Sequence, residues 1–220
     1  ACLLFKNKTV KTLAIKNGSV DNDGFIALVN ALKFNSCMET FAFGPNNVTV
    51  EGFQVFAEAL RDHNLRLRSI ILEGNILCPE SCKLLGGAIG DFFYRNYGHL
   101  QALSVSGAKL NDVTGVYFAN PLYMNHTLQR LDLSNNLIGN TVATVISDGL
   151  ISNSVLLELN LSNNCISHDG GSALAEALAI NSTLRVLNLE CNLIQDDAAT
   201  VLRDSFRVNK ALRSLRLFGN

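Results

Sequence analysis

Asp132 and Glu158 are the two carboxylates of this 220-residue chain whose placement invites an acid–base reading. That chemistry needs a pocket able to hold two carboxyl groups in different protonation states. Both residues instead alternate with leucines, which places them on an open sheet face. They fall into a longer polar row on the same face: Arg130, Asp132, Glu158, Asn160, Asn188, Glu190, Arg216 and Phe218. Mixed charge with one aromatic suits a polar protein partner; the competing reading is a solvated sheet face. The corresponding positions in the first half, among them Thr12, Ala14, Ser69, Ala102 and Ser104, are small and nearly neutral.

Other chemistry is not spelled out. His63, His99, His126 and His168 stand in separate units, and no pair has metal-ligand spacing. Gly86-Gly87-Ala88-Ile89-Gly90 lacks both a phosphate-loop lysine and dinucleotide spacing, and it lies in a helical stretch, where it implies close helix packing. No serine-centred nucleophile elbow is present. No catalytic, cofactor-binding or metal-binding residues are therefore expected, and the chain reads as a non-enzyme.

The six cysteines, Cys2, Cys37, Cys78, Cys82, Cys165 and Cys191, show no clustered framework, which predicts reduced thiols and a cytoplasmic protein. Cys78 and Cys82 flank a helix start with side chains running parallel, poor geometry for a bridge. Cys165 and Cys191 sit in turns of adjacent units, so a disulfide between them stays open. The glycosylation sequons at Asn7, Asn17, Asn47, Asn125, Asn160 and Asn181 would suit a secreted protein, but an asparagine-rich repeat generates them by composition. The net charge of −1 gives no electrostatic case for nucleic acid or an anionic membrane. No apolar run approaches the ~18 residues needed to cross a bilayer.

The elements that must carry the polar row are set by a repeat. LQRLDLSNNLI, starting at Leu128, returns as LLELNLSNNCI from Leu156 and LRVLNLECNLI from Leu184, a period of 28 residues. Looser copies start at Val10, Met38, Leu67, Leu100 and Leu212. Such a period marks a solenoid, one supersecondary unit stacked on copies of itself. Within each copy the leucines alternate, predicting a short strand with one buried face. A whole crossover separates successive strands, so they pair in parallel. The ninth position is Asn46, Asn75, Asn136, Asn164, Asn192 and Asn220, replaced by Gly18 and Ala108 in two units. An inward asparagine amide both donates and accepts, and so satisfies the backbone of a sharp turn. Loss of those bonds at Ala108 is expected to cost about 1 kcal/mol unless something substitutes.

The second half of each unit is helical. Leu28/Leu32, Phe56/Leu60, Leu85/Ile89, Phe118/Leu122, Ile146/Leu150, Leu174/Leu178 and Leu202/Phe206 lie four apart on one face. Asp21, Thr49, Asn111, Asn140 and Asp196 stand as N-caps. Asn35, Asn96, Asn125, Asn153, Asn181 and Asn209 follow the helices as C-terminal turn residues.

LDLSNNLI, LNLSNNCI and LNLECNLI, each followed by a helix, resemble the leucine-rich repeat superfamily, in particular its cytosolic ribonuclease-inhibitor-like class. The resemblance covers essentially the whole chain. It implies an α/β, right-handed horseshoe solenoid, with parallel strands on the concave face and helices on the convex face. Residues 1–220 are expected to form a single domain. The repeat phase is cut at both ends without polar caps, so the chain is expected to belong to a longer protein or to pack its ends against something.

The function implied is protein binding or scaffolding. Alternatives are a GTPase-activating protein for a small GTPase, the sensor region of an innate-immune-type receptor, and a structural subunit of a cytoskeletal or ciliary assembly. Residues 75–122 break the repeat: the unit from Leu67 is 33 long, Ala108 lacks the asparagine and Pro121 falls in a helix. Broken rules often mark functional sites, so Phe93, Tyr94 and Tyr97 are candidate docking residues; the alternative is that they are simply buried.

Overall fold

The computed structural model describes residues 2–16, 18, 20–62, 66–94 and 99–220. Strands and helices alternate: α1 (Cys2–Lys6), β1 (Thr12–Ile15), α2 (Asn22–Leu32), β2 (Thr40–Phe43), α3 (Val50–Asp62), β3 (Ser69–Ile71), α4 (Pro79–Tyr94), β4 (Ala102–Ser104), α5 (Asp112–Ala119), β5 (Arg130–Asp132), α6 (Asn140–Ser152), β6 (Glu158–Asn160), α7 (His168–Ile180), β7 (Val186–Asn188), α8 (Asp196–Val208) and β8 (Ser214–Arg216). A 3-10 helix, Asn120–Met124, follows α5. The strands form one open sheet in chain order, every pair parallel. The alternation of the sequence repeat sets the register. Leu103, Leu131, Leu159, Leu187 and Leu215 align in successive layers.

Strands β3 to β8 stop because the chain turns into the left-handed region at the eighth repeat position. Gly74, Gly107 and Gly219 have φ of 71°, 68° and 80° there, and Asn135, Asn163 and Cys191 have φ of 56°, 53° and 53°. Glycine and asparagine tolerate that backbone; cysteine does so only at a cost. Next to it, the ninth-position asparagine satisfies the turn. Asn136 Nδ2 donates to the carbonyls of Val105, Leu133 and Ser134, and its Oδ1 accepts from Ala108 N and Leu110 N. Asn164 and Asn192 repeat the pattern one and two coils on. At Ala108 the expected deficit is made good in part by backbone: its carbonyl accepts the amide of Leu77 at 3.1 Å, and Ala108 N is taken by Asn136.

The asparagines after the helices do something other than the expected turn. Asn125, Asn153, Asn181 and Asn209 are extended, with ψ of 132°, 126°, 129° and 125°. They build a second ladder. Asn181 Nδ2 donates to Leu150 O and Asn153 O of the preceding coil, while its Oδ1 accepts from Thr183 N and Leu184 N. Asn35, Asn153 and Asn209 make the equivalent bonds. Asn96 lies outside the described residues.

Asp21 and Asn111 cap their helices as expected, Asn111 in a reciprocal capping box with Thr114. Asn140 does not cap α6: it is the first helical residue, and its Oδ1 accepts from Ser167 N and Gly170 N at the start of α7. Asp112 likewise accepts from Gly139 N, Thr141 N and Val142 N at the start of α6. Asn22 accepts from Thr49 N, just before α3. At the starts of α3, α6 and α7, then, the side-chain acceptor comes from the preceding coil. Asp196 is the first residue of α8, with Gln195 at the cap, and its side chain lies outside the described set.

The interior is one continuous apolar column between sheet and helices. Its first part is aromatic. Phe25 packs on Phe43, Phe53 and Phe56 with ring centroids 4.6, 5.7 and 6.0 Å away, in edge-on geometry. From β5 onward leucine takes over. The expected helical pairs are buried, except that Leu28 is half-buried and Phe206 is 37 % exposed. In α8 it is Ser205, its Oγ bonded to Leu202 O, that turns inward. Pro121 does not sit inside an α-helix: α5 ends at Ala119 and the proline opens the 3-10 turn, where its missing N–H matters less. The glycine cluster is packing, as its sequence implied. A Cβ on Gly86 would lie 2.5 Å from the Tyr117 carbonyl oxygen.

Candidate functional site

Strands of three residues present two side chains to the exposed face and one to the core. Arg130 and Asp132, Glu158 and Asn160, Val186 and Asn188, and Ser214 and Arg216 therefore stand in rows across β5 to β8. Arg130 faces Glu158 across one rung, and Asn188 faces Arg216 across another. All of these but Ser214, together with Ser69, Ile71, Ala102 and Ser104, line a trough of about 440 Å³ along the sheet. Arg130, Glu158 and Arg216 are exposed; Asp132 and Asn160 are half-buried; Asn188 is buried. Ile71 and Val186 give the trough apolar patches between polar rows.

The structure divides the predicted residues. Arg130, Asp132, Glu158, Asn160, Asn188 and Arg216 share the trough. Glu190 and Phe218 lie past the strand ends and do not line it; Glu190 is half-buried and Phe218 is 84 % exposed. Phe93 and Tyr94 occupy the last turn of α4, away from the sheet face, with side chains outside the described set. Tyr97 lies outside the described residues.

Three of the trough residues also hold the fold. Asp132 Oδ1 accepts from Ser134 N at 2.9 Å, Asn160 Oδ1 from Ser162 N at 3.2 Å, and Asn188 Oδ1 from Glu190 N at 2.9 Å. Each closes a local turn two residues on, which ends the strand. The spacing Asp/Asn-Leu-Ser/Glu carries that signal in the sequence. By contrast Arg130, Glu158, Glu190 and Arg216 make no ion pair among the described residues. The trough thus combines a rigid floor with charged side chains whose heads are free. Among the described residues no group of three or more His, Cys, Asp or Glu is arranged to hold a metal ion. No helix among them is long and apolar enough to cross a membrane.

A family model described as Leucine Rich repeat matches residues 125–143, 152–175 and 181–202, the three units in which the motif is most regular. Those three units are leucine-rich repeats. No curated protein matches it by sequence. Among solved structures, the chain is similar to Leiomodin-1 Actin-Binding Site 2, at 24% identity over 52% of this chain and 68% of that one, with a TM-score of 0.48. It is also similar to an internalin from Listeria monocytogenes, at 12% identity over 85% of this chain, with a TM-score of 0.48. The chain spans 50% of that internalin's length.

Proposed function

We propose that this leucine-rich repeat protein is a non-catalytic protein-binding module and that its partner seats in the trough over β3 to β8. One observation carries the reading. Charged side chains from β5, β6 and β8, Arg130, Glu158 and Arg216, line one continuous recess without pairing among themselves. Unpaired charges of both signs over a rigid, partly apolar floor steer and register a polar partner. The module acts in a reducing compartment such as the cytoplasm, a reading supported by the free thiols on exposed Cys78, Cys165 and Cys191. It serves as a scaffold by presenting several rungs at once.

A photo-reactive phenylalanine placed at Glu158 or at Asn188, in the full-length protein in cells, tests this. Covalent protein adducts are expected from both positions and not from Glu176 on α7 or Glu80 on α4. Adducts confined to the helix positions would overturn the reading.

A further inference from the structure

A second recess lies on the edge where the first four repeats lead into their strands. Lys8, Lys11, Glu39, Arg66, Arg68 and His99 line a cleft of about 300 Å³ there. The chain as a whole has a net charge of −1, so this local excess of cations over a single carboxylate is a feature of the fold, not of composition. The backbone builds it rung by rung. Lys11 O accepts from Glu39 N, Glu39 O accepts from Arg68 N, and Arg68 O accepts from Gln101 N. Lys11, Glu39 and Arg68 are thus successive steps, roughly 4.8 Å apart.

The cations converge on an oxyanion already. Lys11 Nζ lies 2.8 Å and Arg68 Nε 3.8 Å from the Glu39 carboxylate oxygens. The hydrogen bond from Lys11, with the charges of Lys11 and Arg68, holds that carboxyl below its usual range. Lys8, Arg66 and His99 have no ion-pair partner among the described residues. One internal carboxylate therefore leaves most of the donors in the cleft unused.

We propose that this cleft is an oxyanion site that takes a phosphate monoester carried on a protein segment. Arg66 and Arg68 supply guanidinium forks, and Lys8 and Lys11 supply point charges. A phosphate monoester has three strong acceptor oxygens and close to two negative charges, which matches several donors better than a single carboxylate does. A protruding phosphorylated side chain enters the recess beside Glu39. Glu39 is less exposed than Lys11 and Arg68, so a flat anionic bilayer reaches only the outer cations and not the recess between them. Only the protein origin of the phosphate rests on the interaction-module reading; the oxyanion site itself does not, and it lies apart from the trough.

The test is a calorimetric titration of the whole chain with a neutral heptapeptide bearing one phosphoserine. Its unphosphorylated and aspartate versions, inorganic phosphate, and phosphatidylcholine vesicles containing phosphatidylinositol bisphosphate are the comparison arms. The phosphopeptide binds, the aspartate peptide binds at least about 10-fold more weakly, and Arg66→Ala with Arg68→Ala weakens phosphopeptide binding about 10-fold or more. Glu39→Gln strengthens it by about 3-fold by removing the competing anion, while Glu51→Gln, an equal change of charge on α3, does not. Lys8→Glu, at an exposed side chain, gives an independent loss of binding should the double variant melt early. Unchanged affinity in the arginine variant, or equal gains from Glu39→Gln and Glu51→Gln, would overturn the site. Tighter binding to the vesicles than to the peptide, lost on the same arginine substitution, would overturn the protein origin of the phosphate.

Discussion

Asn136 shows how much one side chain carries in a stacked coil. It is 6 % exposed and makes five hydrogen bonds to backbone of its own and the preceding unit. Asn136→Ala leaves those groups buried and unpaired, and a loss of about 2–4 kcal/mol is expected in urea unfolding. A loss below 1 kcal/mol would mean that water or backbone replaces the amide. The two thiols at the start of α4, Cys78 just before it and Cys82 in its first turn, differ as sharply. A hydrogen bond from Ser81 holds the Cys78 thiol below its ordinary value, whereas burial pushes Cys82 from 9.0 up to about 12. Alkylation at neutral pH is expected to label Cys78 and leave Cys82 untouched, as read by peptide mass spectrometry. Because the folded state keeps the Cys82 proton where the unfolded chain releases it, Cys82 lowers stability as pH rises from about 9 to about 12. Cys82→Ala should flatten that alkaline slope; an unchanged slope would count against the burial effect.

At the scale of the element, α4 separates two uses of glycine within one motif. A Cβ at Gly86 would strike the Tyr117 carbonyl oxygen at 2.5 Å, while at exposed Gly87 its nearest neighbour is the movable Arg61 Nη2 at 3.1 Å. Gly86→Ala is expected to destabilise by about 1–3 kcal/mol through overpacking. Gly87→Ala should be neutral or gain up to about 1 kcal/mol from helix propensity. Similar melting temperatures for the two variants would contradict the packing geometry. The glycine cluster was recognisable in the sequence as a packing device. Which glycine faces α5 was not, because the irregular spacing around Pro121 hides the phase of the contact.

Across the whole molecule the two asparagine ladders should govern cooperativity. Both are interrupted in the same place. Ala108 has no amide to give, and among the described residues Asn125 Nδ2 is buried without a partner. Downstream, Asn136, Asn164 and Asn192, and Asn153, Asn181 and Asn209, are all satisfied. Native-state hydrogen exchange is therefore expected to show the amides of Leu133, Leu161 and Leu189 exchanging as the slowest block, with Gly44 and Leu72 opening earlier. Equal protection along the sheet would mean that packing between α4 and α5 compensates for the missing bonds.

The sequence alone determined the repeat, the parallel sheet, the layer of buried leucines and the ninth-position asparagines, because each follows from a local period that every copy repeats. It also put Arg130, Asp132, Glu158, Asn160, Asn188 and Arg216 on one face, since alternation along a strand allows no other outcome once the leucines are inside. The tertiary structure decided what depends on the neighbouring coil. Asn140 serves the next helix and not its own, Asn181 ties its own unit to the coil before it, and Asp132 both ends its strand and lines the trough. It alone gathered Lys8, Lys11, Arg66, Arg68 and His99 around Glu39. Those residues share no motif; they come from four units and meet only because stacking brings residues about one repeat apart in sequence within one strand spacing of each other.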